Sequence, residues 1–118
     1  MAARREPTCI FCKVVSGEIP AREVFRDEEL LVVEDVNPQA PVHLLVMPTN
    51  HVRNASGFIE SAEPQVVARL FAKATQIGRE RGPDGYRLVV NEGSQGGQTV
   101  DHLHVHVLAG RHMRWPPG

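Results

Sequence analysis

Residues 102–108, His102-Leu103-His104-Val105-His106-Val107-Leu108, alternate imidazole and aliphatic side chains with period two. Successive side chains on a strand point to opposite faces, so a strand is predicted from His102 to Ala109. It carries three imidazoles on one face and turns Leu103, Val105 and Val107 into a core. Same-face neighbours on such a strand lie roughly 7 Å apart. Three imidazoles in a row suit a metal, or a linked set of proton donors and acceptors; a solvated, merely histidine-rich face is the bland alternative.

The rest of the chain supplies the sheet and a covering layer. Ile10 to Val15 reads as one or two helical turns, ended by Ser16-Gly17 and Pro20. Short strands are predicted at Glu23 to Arg26, Leu30 to Asp35 and Val42 to Met47, with Asn37-Pro38 and Pro48 as breaks. A long helix is expected from Glu63 to Arg81, capped by Ser61 with Pro64 in its first turn. Val66, Val67, Leu70, Phe71, Ala74 and Ile77 form its apolar stripe. Gly82-Pro83-Asp84-Gly85 is turn chemistry, Tyr86 to Asn91 another strand, and Glu92 to Gly97 a glycine-rich loop. This order predicts an α+β fold with a mostly antiparallel sheet, one long helix and one short N-terminal helix. No repeat or linker divides the 118 residues. Residues 1–8 are read as a short flexible lead and 9–118 as a single domain.

Charge narrows the function classes. Thirteen Lys+Arg against fourteen Asp+Glu leave a formal charge of −1, which offers no footprint for nucleic acid or an anionic membrane. No apolar run exceeds four residues, too short to span a bilayer. Arg4 and Arg5 are not followed by a secretory apolar segment, and two cysteines make no disulfide scaffold. A cytoplasmic setting is expected.

The loop Asn91-Glu92-Gly93-Ser94-Gln95-Gly96-Gly97-Gln98-Thr99 runs directly into the histidine strand. Glycines let backbone N–H groups approach an anion, while Gln98 and Thr99 can donate from side chains. A flexible connection is the plainer reading of the loop alone. Beside three histidines it suggests a phosphate pocket with an imidazole aimed into it. A neutral imidazole is a competent nucleophile at phosphorus near pH 7, and its neighbours can hold oxygens or move protons.

The segment Gly96 to Leu108 resembles the His-x-His-x-His signature of the histidine-triad (HIT) superfamily. Ile19-Pro20-Ala21, Asn37 to His43 and Val89 to Gly93 look like further landmarks in family order. The ending Gly110 to Gly118 is similar to the histidine-triad nucleotide-binding (Hint) branch. The resemblance implies a HIT-like fold, a homodimer and a purine nucleoside phosphoramidase, cleaving the P–N bond of AMP-amine or GMP-amine conjugates. It casts His104 as the nucleophile that forms a nucleotidyl-histidine. His106 and His43 hold phosphate oxygens or relay protons, and His102 orients the nucleophile. Asp35 accepts from the ribose hydroxyls; Asn91, Gly97, Gln98 and Thr99 surround the phosphate and leaving group. Ile10, Phe11, Val33, Val36 and Leu45 wall the base, although without the resemblance each reads first as ordinary core. Trp115 and the Pro-Pro-Gly tail pack near a neighbouring subunit.

Cys9-x-x-Cys12 by itself allows a redox pair, half a zinc site or two small buried residues. The resemblance implies a structural zinc with His51 and His102 as the other ligands, and no cofactor for catalysis. His112 matches no family position and is expected in solvent. Competing readings are dinucleoside polyphosphate hydrolysis and a zinc-stabilised nucleotide-binding or interaction module with little turnover.

Overall fold

Leu30–Glu34 (β2) and Val42–Pro48 (β3) are apolar at nearly every position because both faces of the sheet they centre are covered. The computed structural model describes residues 4–118. Of the short N-terminal lead, residues 1–3 lie outside the described residues. Arg4 donates its N–H to Asn50 Oδ1 (2.5 Å), and its carbonyl accepts from His51 N–H (2.8 Å).

The chain runs α1 (Ile10–Ser16), β1 (Glu23–Arg26), β2, β3, α2 (Ala55–Ser61), α3 (Pro64–Arg81), β4 (Tyr86–Val89) and β5 (Val105–Ala109). All pairings are antiparallel, in the order β1-β2-β3-β5-β4, so β5 inserts between β3 and β4. The expected α+β architecture is present.

Period-two alternation divides the apolar residues between two cores. Leu30, Val32, Leu44, Val46, Leu103, Val105 and Val107 face α2 and α3, meeting Phe58, Leu70, Ala74 and Ile77. Leu31, Val33, Leu45 and Met47 face the other way, under Val14 and Val15 of α1, with Phe11 packed alongside. His43 shares its strand face with Leu45 and Met47, so the histidines gather on the α1 side.

Three local expectations need correction. The segment between β3 and the long helix holds α2, whose N-cap Asn54 accepts from Gly57 N–H at 2.9 Å. Ser61 is therefore the last residue of α2 rather than the cap of α3; Glu63 holds that position without a side-chain bond. Finally, β5 starts at Val105 instead of His102. Pro48 has no N–H to extend the ladder, and its carbonyl is taken by the His102 side chain. Leu103 N–H instead donates to Val52 O at 2.8 Å. The alternation of faces nonetheless runs on through residues 102–104.

Candidate active site and metal-ligand cluster

Register brings the polar residues together. His106 on β5 lies opposite Leu45, and His43 lies two positions along β3, opposite Leu108. Asp35, just past β2, donates its N–H to His43 O at 3.0 Å. The His43 and His106 rings approach to 5.1 Å, and those of His104 and His106 to 4.9 Å. The rings of His104 and His106 are thus closer than the roughly 7 Å between same-face positions along a strand. Phe11 of α1 meets the His104 ring edge-on at 4.9 Å.

The hydrogen-bond network sets each tautomer. His43 Nδ1 accepts from Gln39 N–H at 3.0 Å, so its proton sits on Nε2. That Nε2–H faces His106 Nδ1 at 2.9 Å and Asp35 Oδ2 at 3.3 Å. His106 Nδ1 is then an acceptor, and its own proton is on Nε2, a buried donor with no partner among the described residues. A buried donor left unpaired is costly unless a ligand completes it. His104 Nδ1–H donates to His102 O at 2.8 Å, which leaves the lone pair on Nε2. His102, fully buried, donates Nε2–H to Pro48 O at 2.8 Å, which leaves its lone pair on Nδ1.

That His102 lone pair faces sulfur. Nδ1 lies 3.4 Å from Cys9 Sγ and 3.6 Å from Cys12 Sγ, while His51 Nδ1 lies 3.3 Å from Cys12 Sγ. All four donor atoms fall within 4.8 Å of one another. A tetrahedral centre with metal–sulfur bonds of about 2.3 Å and metal–nitrogen bonds of about 2.0 Å separates adjacent S and N by about 3.5 Å. The four residues therefore fit a metal ion without rearrangement. The cysteines reach this position because Cys9 caps α1, its sulfur accepting from Cys12 N–H at 3.3 Å.

Burial lowers the pKa of His43, and pushes His102 and His106 down to about 4. For His106 the nearby His104 and His43 add to the effect, and Asp35 opposes it; for His102 the Pro48 carbonyl opposes it. Both stay neutral in the folded chain where the unfolded chain, near 6.5, takes up protons. Their stabilisation is complete above pH 6.5 and is lost as pH falls toward 4. The urea midpoint of metal-free protein is therefore expected to drop between pH 6.5 and 5.5, before most carboxylates begin to protonate. A flat midpoint across that window would show that the two imidazoles are not held neutral.

The remaining predicted site residues are placed less uniformly. Val33 and Leu45 are buried beneath α1, whereas Ile10 and Val36 are 48% and 95% exposed. Asn91 is half-buried beside Gly97, with its amide 3.9 Å from where a Cβ at Gly97 would stand. Gln98 staples its own loop, its amide donating to Arg53 O (2.7 Å) and Val100 O (3.0 Å) and accepting from Gly93 N–H. Thr99 borders a cavity of about 480 Å³ with Cys9, His51, Arg53 and Asp101, on the side of the sulfur cluster. His112 and Trp115 are exposed. Sequence reasoning missed the groups that orient the rings, the Pro48 and His102 carbonyls and the Gln39 N–H. Backbone groups leave no residue-type signal. It also missed Glu92, which accepts from Ser56 N–H (2.9 Å) and Ser56 Oγ (2.7 Å) and so ties the glycine-rich loop to α2.

A HIT domain family model matches residues 16–113, which include the whole imidazole array. The chain belongs to the HIT family. The HIT chain is 44% identical over 112 residues to Protein pkiA of Dictyostelium discoideum, covering 92% of its own length and 88% of that protein. It is 42% identical over 113 residues to Adenylylsulfatase HINT1 of Arabidopsis thaliana, covering 92% and 76%. Among solved structures, it superposes on a HIT family hydrolase from Legionella pneumophila with a TM-score of 0.88. That match is 42% identical and covers 94% of this chain and all of that one. A histidine triad protein from Clostridium difficile gives 0.85 at 38% identity, covering 93% and 96%. At this level the HIT chain is a hydrolase of the histidine-triad type, consistent with nucleotide binding.

Proposed function

We propose that this chain is a purine nucleoside phosphoramidase acting through a nucleotidyl-histidine on His104. The observation that carries the reading is the His104 Nδ1–H bond to His102 O, which presents an unprotonated Nε2 beside the unpaired His106 Nε2–H. His104 Nε2 attacks the α-phosphorus, and its lone pair forms the new N–P bond as the P–N bond to the amine breaks. The amine departs with a proton taken from solvent. Positive charge developing on the His104 ring strengthens its Nδ1–H bond to the His102 carbonyl. His106 Nε2–H donates to a phosphate oxygen, held in that tautomer by His43, whose own orientation comes from Gln39 N–H and Asp35. Water then attacks phosphorus, the mononucleotide leaves and neutral His104 returns.

In this reading Asp35 accepts from the ribose hydroxyls, and exposed Val36 and Ile10 with edge-on Phe11 offer apolar surface to the base. Cys9, Cys12, His51 and His102 would hold a zinc ion with four protein donors, and it would then supply structure rather than chemistry at phosphorus. A homodimer is part of the proposal. Edge strand β4 and the exposed Phe71, Ile59 and Trp115 leave apolar surface for a second copy. Light scattering at the mass of one chain would remove the dimer.

The test is AMP release from adenosine 5′-phosphoramidate, with adenylyl sulfate and a dinucleoside polyphosphate as parallel substrates. Adenylyl sulfate enters because the Arabidopsis relative carries that activity in its name, and the same attack at phosphorus would expel sulfate. Phosphoramidate is expected to react fastest. Faster reaction of either alternative would reassign the substrate. Inertness toward all three, with AMP bound by calorimetry, would leave a binding module.

A further inference from the structure

His102 belongs to two sites at once. Its Nδ1 faces the thiols of Cys9 and Cys12, and its main-chain carbonyl receives the His104 Nδ1–H that exposes the Nε2 lone pair. The stretch 102–104 lies outside the β5 ladder, so sheet hydrogen bonds do not hold it. Its anchors are the His102 side chain on Pro48 O, the sulfur contacts of that ring, and Leu103 N–H on the carbonyl of Val52. Val52 directly follows His51, another member of the cluster. Phe11, which meets His104 at 4.9 Å and His102 at 6.0 Å, precedes Cys12 on α1. Beside the core packing of Leu103 and Val105 on the opposite face, the hydrogen bonds and ring contacts that hold this stretch run through one of the four metal-ligand candidates or its chain neighbour.

We infer that metal binding at Cys9, Cys12, His51 and His102 positions His104 for attack, and does more than stabilise the fold. The inference rests on reading His104 as the nucleophile. With a metal bound, the His102 ring is locked from both nitrogens, and its carbonyl holds the His104 proton on Nδ1. Without it, His102 keeps one strong side-chain bond, and thiol contacts replace the other. The carbonyl is then free to shift relative to His104, and the Nε2–H tautomer, which has no lone pair for phosphorus, becomes accessible. His102, Cys9 and Cys12 are in this sense positioning residues.

The experiment compares wild-type protein loaded with one equivalent of Zn²⁺ against the same protein stripped by a chelator. Long-range ¹H–¹⁵N correlation of ¹⁵N-histidine-labelled protein reads the His104 tautomer, assigned by the signal lost in His104→Ala. The loaded form is expected to show a single Nδ1–H species and the stripped, still-folded form a mixture, restored by adding Zn²⁺ back. In parallel, kcat on adenosine 5′-phosphoramidate should fall about tenfold to a hundredfold with KM changed less than about twofold. Identical His104 signals in loaded and stripped protein overturn the inference. Should stripping unfold the chain, His51→Ala carries the same readout, since it leaves three ligands and does not touch His104. An unchanged His104 signal in that variant, despite weakened Zn²⁺ binding, overturns the inference equally. The tautomer measurement needs no substrate, so a chain inert toward phosphoramidates would refute the proposed activity without deciding the coupling.

Discussion

His104→Ala is expected to reduce turnover of adenosine 5′-phosphoramidate by about a thousandfold or more, while AMP affinity stays within about threefold. The direction follows from counting lone pairs in the array. His102 directs Nδ1 at sulfur and donates from Nε2. His43 accepts at Nδ1 and donates from Nε2, and His106 accepts at Nδ1 with its proton on Nε2. Among the imidazoles of this row, His104 Nε2 is the one unprotonated nitrogen without a committed partner. In the proposed mechanism its removal leaves the other phosphate-facing groups in place but takes away the atom that would bond to phosphorus. Stopped-flow AMP release and calorimetry on the same preparations separate the two quantities. Retention of activity within tenfold of wild type would place the nucleophile elsewhere, and loss of AMP binding would make His104 a binding residue.

Gly78→Ala is expected to lower folding stability by about 1–3 kcal/mol, although alanine is the better helix former by roughly 1 kcal/mol. Gly78 is buried in the last turn of α3, and a Cβ there would stand 2.3–2.6 Å from three ring atoms of Tyr86 on β4. One of those atoms is Cγ, next to the backbone, so a small turn of the ring tip cannot clear the space. Either α3 lifts off the sheet or Tyr86 abandons its rotamer. The double variant Gly78→Ala/Tyr86→Ala should therefore be closer in stability to Tyr86→Ala alone than additivity allows. Urea unfolding measures all four proteins. Additive losses, or a Gly78→Ala chain more stable than wild type, would show that α3 and β4 have slack at this contact.

These two positions mark how far the sequence was legible. The imidazole face could be read because a period-two pattern reports which side of a strand a side chain takes, whereas casting His104 as its nucleophile came from the family resemblance. The same logic placed Leu103, Val105 and Val107 in the core and found the long helix from its stripe. Gly78 carried no such signal: a glycine within a helical stripe reads as a weak point, and its purpose appears only when β4 is laid against α3. Helix α2 went unread because Ala55–Ser61 is short and carries Phe58 as its one buried residue. The start of β5 was misplaced for a related reason. Alternation continues past the ladder, and what ends the ladder is Pro48 on β3, more than fifty residues earlier. Tautomers were beyond reach, since they depend on carbonyls and N–H groups that every residue possesses.

The strand order has a further consequence, for biosynthesis. β5 lies between β3 and β4, and its ladder to β3 joins residues separated by about sixty positions. Long-range pairings of this kind pay their loop-closure entropy before any contact returns it, and they form late. A nascent chain that has emerged only through β4 has one open edge on β3 and an unpaired β4, with α3 lacking part of the surface it covers. Closure must wait until residues 105–109 clear the ribosome. The same residues bring His106, and draw His104 with it, so the sheet and the reactive array are completed in one event. Truncated translation products would expose sticky strand edges but would carry no assembled imidazole array.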